Sequence, residues 1–249
     1  VIRVWWGGAG DEPTVKPIVE FRGRRTPLAR RSGGWEGLVG VDLADPPGLH
    51  PLSLRDGGLV QEWTVRVRAG DFPEERLTLP EGMVSPGEKD LERIARESRM
   101  LAALWKKMSE PRWHMPFILP LQSQVITPFG VRRILNGIPK NSHRGLDMRG
   151  AEGTPIAAVN SGRIALVRDL FYGGLTVAVD HGGGVYSYYM HLSKARVREG
   201  EMIEKGSAVG EVGMSGRATG PHLHFGVKIA GANVDPRALV TAFSLKGAE

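Results

Sequence analysis

Apolar residues in this chain come in runs of strand length, from Ile2 to Val212, and nearly every run is closed by glycine, proline or aspartate. With 34 glycines and 17 prolines among 249 residues, little uninterrupted chain is left for long helices. The expectation is a turn-rich, mainly β protein with a sizeable core, built as one large domain or two ordinary ones.

Residues 1–80 read as a small N-terminal β-sandwich or barrel domain. Its expected strands are Ile2–Trp6, Thr14–Phe21, Trp35–Asp42, His50–Leu54 and Glu62–Arg68. Trp5, Trp6, Trp35 and Trp63 stand at strand spacing and are expected in the core rather than on a ligand-stacking surface. Residues 81–116 hold the one convincing helical pattern. Ser85-Pro86-Gly87-Glu88 has the form of a capping box, and Leu91, Ile94, Leu101, Leu104, Trp105 and Met108 recur at three- and four-residue steps until Pro111 and Pro116. This helix is expected to link two domains and pack across or between them. Residues 117–249 return to β, as an antiparallel domain. Val125 leads into Thr127, and Ile156–Val159, Arg163–Val167, Leu175–Val179, Val185–His191 and Ala208–Val212 follow, with a hairpin loop at Asp180–Gly184.

Within that last region lies Pro221-His222-Leu223-His224-Phe225. In an extended chain His222 and His224 share one face, while Leu223 and Phe225 share the other. Upstream, His143, Gly145 and Asp147 also share a face, and Gly145 leaves room between a nitrogen and a carboxylate oxygen. His191 closes the tyrosine-rich run from Val185. The chain has no cysteine, so any metal must be held by His and Asp/Glu. Catalytic zinc commonly takes three such ligands and keeps a fourth place open. His143, Asp147 and one of His222 and His224 make such a set. Alternation alone does not choose between the last two, since same-face residues about 7 Å apart can both reach one ion. His50 and His114 are expected to pack or to face solvent, and His181, next to a glycine run, to answer backbone demands. Tyr189, two residues before His191, is expected on the same face, more as packing than as a substrate contact.

His143-x-x-x-Asp147, Tyr189-Met190-His191-Leu192 and Gly216-Arg217-Ala218-Thr219-Gly220-Pro221-His222-Leu223-His224-Phe225 together resemble the lysostaphin-type (LytM-like) zinc endopeptidases, as do Phe129-Gly130-Val131-Arg132-Arg133 and Asn136-Gly137. The resemblance covers residues 117–240, with a looser likeness of the N-terminal half to the β domain that precedes the peptidase in envelope members. It implies a zinc metalloendopeptidase that uses a metal-activated water to cut cross-links or stem peptides of bacterial peptidoglycan in the periplasm or outside the cell. It makes His143, Asp147 and His224 the zinc ligands, and His191 and His222 the catalytic imidazoles. The alternative is a catalytically silent, peptidoglycan-binding or hydrolase-activating envelope protein of the same fold. Val197–Gly206 is similar to part of a lipoyl-type sandwich, so a lipoyl-like hybrid β fold is expected. The nearest candidate turn, Gly213–Gly216, has no lysine, which argues against a lipoyl carrier.

Charge narrows the partners. The net charge is +6, with 18 basic against 17 acidic residues in 1–115 and 15 against 10 in 116–249. No aromatic-interleaved basic stripe or recognition-helix pattern supports nucleic acid. Arg132, Arg133 and Arg217 are candidates for holding substrate carboxylates. No apolar run approaches the roughly 20 residues that span a bilayer. The chain begins without Met and already in a strand-like pattern, so it reads as a trimmed piece or a processed protein, either of which leaves room for a leader or anchor ahead of Val1. Intramolecular shielding of the groove by the N-terminal domain is a further expectation.

Overall fold

The structure, a computed structural model, describes residues 1–7 and 16–241. The first strands are β1 (Ile2–Trp6), β2 (Ile18–Phe21), β3 (Arg24–Pro27), β4 (Ala29–Arg31), β5 (Gly34–Val39), β6 (Gly48–Asp56), β7 (Leu59–Val67) and β8 (Glu74–Leu77). Thr14 and Val15, the start of the second expected strand, lie outside the described residues. β1, β5 and β4 form one antiparallel sheet, and β3, β2, β6 and β7 another. Val4, Val19, Phe21, Leu28, Val39, Leu52 and Leu54 meet between them as a small core. Alternation along the strands supplies these residues, and buried Glu36, held by Arg3 and Arg31, ties β5 to its neighbours.

Two of the four N-terminal tryptophans depart from expectation. Trp5 is 50% and Trp63 43% exposed, while Trp6 and Trp35 are partly buried and pack against this small core. Trp5 stands on the outward side of β1, and Trp63 lies on the edge strand β7. Regular strand spacing thus marks a face without saying whether another layer covers it.

Two helices follow, α1 (Glu81–Val84) and α2 (Glu88–Leu104). The expected capping box does not form. Ser85 ends α1 by donating its N–H to the Glu81 carbonyl, so α2 starts from Gly87, without a side-chain cap. The helix also stops at Leu104, before the prolines, and Leu91 and Met108 are exposed. Among its residues only Leu104 is fully buried, against Tyr186 and Tyr188. Arg93 bonds Asp169 at 3.0 Å, and Glu97 accepts from the Phe171 N–H at 2.9 Å.

The remaining elements are β9 (Val125–Thr127), β10 (Arg132–Leu135), β11 (Ile138–Pro139), β12 (Leu146–Arg149), β13 (Pro155–Ala157), β14 (Gly162–Leu170), β15 (Gly174–Gly182), β16 (Val185–Ala195), β17 (Met202–Ile203), β18 (Ala208–Val212), β19 (His222–Ile229), β20 (Ala232–Val234) and α3 (Pro236–Thr241). The large sheet runs β17-β14-β15-β16-β19-β12-β9, with β18, β13 and β20 attached at its flanks, and all its pairings are antiparallel. The Asp180–Gly184 hairpin joins β15 to β16 as expected. Beneath this sheet is the main core, which includes Leu146, Met148, Tyr189, Leu223 and Phe225 and also takes in Leu38 from β5. One pairing crosses the expected divisions of the chain: β8 runs parallel to β10, with Glu75 opposite Arg133.

Candidate metal centre

The central antiparallel pairs place the site. Asp147 on β12 lies opposite His224 on β19, and Met190 on β16 lies opposite His224 from the other side. Directly opposed residues project to the same face of a sheet. That face therefore carries Asp147, His222 and His224, while Leu223 and Phe225 enter the core, 0% and 1% exposed. His143 reaches the same point from the segment before β12. Its Nε2 lies 2.9 Å from Asp147 Oδ1 and 2.9 Å from His224 Nδ1, and His224 Nδ1 lies 2.8 Å from Asp147 Oδ1. These three ligand atoms are all within 4.8 Å of one another.

Gly145 makes room here, but not for the neighbours that alternation suggested. Only Asp147 of the trio belongs to a strand, and a Cβ at Gly145 would stand 2.5 Å from the Phe225 carbonyl and 2.7 Å from His224 Nε2. The glycine admits the imidazole of the opposing strand.

Whether a cation suits this cluster follows from its protons. His143 Nδ1 donates to the Pro128 carbonyl at 2.8 Å, and its Nε2 faces Asp147 Oδ1. Burial alone would raise the Asp147 pKa, but the contacts with His143 and His224 outweigh it and hold the carboxyl well below the usual range. Burial pushes His224 down to about 4, and the Asp147 carboxylate only partly opposes this, so the ring is neutral near pH 7. A neutral His224 has one ring proton, and its Nδ1 faces both His143 Nε2 and Asp147 Oδ1. A divalent ion bound by all three atoms would satisfy them together, and two imidazoles with one carboxylate are a normal donor set for zinc.

His191 and His222 flank the cluster. Their ring centroids are 4.8 Å apart, and His222 Nε2 is 3.9 Å from Asp147 Oδ1. His191 Nδ1 donates to the Ser215 carbonyl and His222 Nδ1 to the Gly220 carbonyl, each at 2.8 Å. In the neutral form of either ring, Nε2 is therefore the acceptor. Burial, reinforced by His224 and His222, pushes His191 down to about 3.

His191 reaches this face by breaking strand alternation. Tyr189 lies opposite Phe225 and is fully buried, its hydroxyl bonded to the Val159 N–H and Ser187, so the expected shared face with His191 is overturned. At His191 the backbone has φ 64°, a left-handed conformation that histidine tolerates better than most residues, and the N–H bonds the Gly173 carbonyl. The turn redirects a side chain that parity would send into the core. Such local strain at a candidate site is held by its surroundings.

The alternation reading also passed over Tyr188. It lies over Gly226, where a Cβ would meet its ring at 2.0 Å, and stacks on His224 with centroids 6.0 Å apart. Its hydroxyl donates to the Arg144 carbonyl. The period-two pattern did contain this signal, in Gly226 two residues beyond His224. His181 is fully buried between the Ser161 carbonyl and Ser187 hydroxyl, while His50 and His114 lie away from the cluster and bond Pro46 and Asn160. The Gly213–Gly216 segment serves His191: the Ser215 carbonyl accepts from its ring, and the Ser215 hydroxyl bonds the Leu192 carbonyl.

Beside the cluster opens a groove of about 400 Å³. Ile94, Glu97, Ser98 and Leu101 of α2 form one wall, facing His143, His191, His224, Met190 and Tyr172. Arg133, Lys140, Arg144 and Arg217 also line it, so basic groups outnumber the single carboxylate of Glu97. Arg132, an exposed residue, is not among the lining residues. None of these comes from residues 1–80, so the expected shielding by the N-terminal domain finds no support among the described residues. No helix among the described residues is long and apolar enough to cross a membrane.

Comparison with known proteins agrees with this geometry. Residues 141–236, which contain all five candidate residues, match the model of peptidase family M23. The chain is 36% identical over 93 residues to the peptidoglycan DD-endopeptidase ShyA of Vibrio cholerae, covering 37% of this chain and 22% of that protein. It is 37% identical over 91 residues to the glycyl-glycine endopeptidase ALE-1 of Staphylococcus capitis, covering 36% of this chain and 25% of that one. The chain thus spans about a quarter of the length of these curated relatives. A crystal structure of a Pseudomonas aeruginosa protein named for peptidase M23 superposes with a TM-score of 0.76 at 32% identity, over 97% of this chain and 94% of that one. Sharing both the fold along nearly its whole length and the segment that brings the five polar side chains together, this chain belongs to peptidase family M23.

Proposed function

We propose that the protein is a zinc-dependent endopeptidase of the bacterial cell envelope, acting on cross-links or stem peptides of peptidoglycan. The observation that carries this reading is the convergence of His143 Nε2, Asp147 Oδ1 and His224 Nδ1, with two further imidazoles holding free Nε2 acceptors beside it. His143, Asp147 and His224 would hold the ion. When bound, zinc supplies Lewis-acid activation of a water and of the scissile carbonyl.

The chain's own groups do the rest. His191 and His222, fixed as Nδ1–H tautomers by backbone carbonyls, can each accept the proton of the attacking water at Nε2. A ring so protonated can donate to the developing oxyanion or to the departing amine. Tyr188 and the Pro128 carbonyl hold His224 and His143 in orientation. The groove beside α2 gives a peptide an apolar wall at Ile94 and Leu101 and a basic lining at Lys140, Arg144 and Arg217. That balance suits a peptide carrying carboxylates.

The relatives named above are an endopeptidase of DD bonds and one of glycyl-glycine bonds. Digestion of defined wall fragments, with product masses, identifies the bond cut here. The deciding experiment measures bound zinc and the release of new amino groups from purified peptidoglycan. Stoichiometric zinc with release supports the proposal. Zinc-loaded protein that releases nothing overturns it in favour of a silent, wall-binding protein.

A further inference from the structure

Asp147 has two carboxylate oxygens, and the histidines use only one of them. Oδ1 faces His143 and His224, while Oδ2 accepts from Nη2 of Arg133 on β10. The same guanidinium gives its Nε to Glu75 Oε2 at 3.2 Å, and Glu75 Oε1 accepts from the Thr127 hydroxyl at 3.2 Å. Thr127 is paired with Asp147 across β9 and β12, and Glu75 with Arg133 across β8 and β10. Side-chain bonds thus run from Thr127 through Glu75 and Arg133 to Asp147, strand pairing brings the two ends together, and all four residues are at least partly buried. β8 is itself anchored, with the Arg132 N–H on the Pro73 carbonyl and Asn136 bonded to both backbone groups of Leu79.

We propose that Arg133 and Glu75 are positioning residues for the metal centre, so that a strand far upstream of the family-matched segment 141–236 helps to set its affinity for zinc. The inference rests on the metal reading above. Arg133 pins the carboxylate so that Oδ1 keeps its direction, as hydrogen-bonding partners behind metal ligands do. Alone, however, it would place a positive charge next to a site meant for a cation. Glu75 cancels that charge while fixing the guanidinium plane. Glu75 should therefore matter to metal binding although it touches no ligand. The neighbouring Glu74, ion-paired among the described residues with Arg76 alone, should not.

The test measures zinc dissociation constants by chelator competition, and visible spectra of the cobalt-substituted protein, for the whole chain and its variants. Arg133→Gln should weaken zinc about 10–100-fold and Glu75→Gln about tenfold. Glu74→Gln should match wild type. The cobalt spectrum should shift in Arg133→Gln and return part of the way in Arg133→Lys, which a general loss of stability would not produce. Should Arg133→Gln fail to fold, the near-isosteric Glu75→Gln carries the decision. Unchanged affinity and spectrum in the folded variants overturn the inference alone. A wild-type chain that takes up no zinc overturns the metal reading and this inference with it.

Discussion

Gly145→Ala tests the site without removing any polar group from it. No positive φ holds Gly145, so its backbone conformation does not exclude alanine, and the obstacle is space. The new methyl would lie 2.5 Å from the Phe225 carbonyl and 2.7 Å from His224 Nε2, where ordinary contact begins at 3.4 Å. Relief therefore requires a movement of about 0.7–0.9 Å. Either β12 and β19 separate or the His224 ring turns. Both routes part Asp147 from His224, because Leu146 pairs with Phe225 and Asp147 with His224 on those same strands. Metal–ligand distances tolerate only about 0.2 Å. We expect a loss of about 1–3 kcal/mol in stability from overpacking, about 10–100-fold in zinc affinity and about 100-fold in turnover. Urea unfolding of the metal-free variant and chelator competition measure the first two, and release of amino groups from peptidoglycan the third. Wild-type zinc affinity in a folded Gly145→Ala protein would refute the steric argument.

Other predictions follow from the same geometry. His143→Ala and Asp147→Ala should each lose bound zinc on dialysis, and a retained equivalent in either would remove that residue from the ligand set. His191→Ala and His222→Ala should keep zinc yet lose about 10²–10⁴-fold in turnover; if His222→Ala strips zinc while His224→Ala does not, the ligand assignment is reversed. Burial pushes His181 down to about 4, against partial opposition from the Ser161 carbonyl and Asp180. Its depressed pKa means the unfolded chain takes a proton below about pH 6.5 while the folded protein does not, so stability is complete above that pH and falls by a few kcal/mol toward pH 4. In urea unfolding from pH 7 to 4, His181→Gln should lower the slope by about one proton, and an unchanged slope would contradict this.

The chemistry of the site was written locally, whereas its assembly was not. The β class, the inward Leu223 and Phe225 and the outward His222 and His224 follow from period-two alternation, a property of any extended chain. The absence of cysteine and the spacing of His143 and Asp147 likewise marked a His and carboxylate set. Local patterns failed where the backbone left its regular period or where a distant segment supplied the partner. His191 enters the groove through a left-handed residue, against the parity that put Tyr189 beside it. Ser85 was spent closing α1, so α2 begins uncapped and is held by Asp169 and Phe171 instead.

What the amino-acid sequence determined by itself was which groups could bind a metal and which strand faces they would share, because alternation and donor chemistry are properties of neighbouring residues. Tertiary structure alone decided that α2 walls the groove and that Glu75 stands behind Arg133. Glu75 and Arg133 are 58 positions apart, and pairing over such separations depends on how whole sheets pack rather than on any period along the chain.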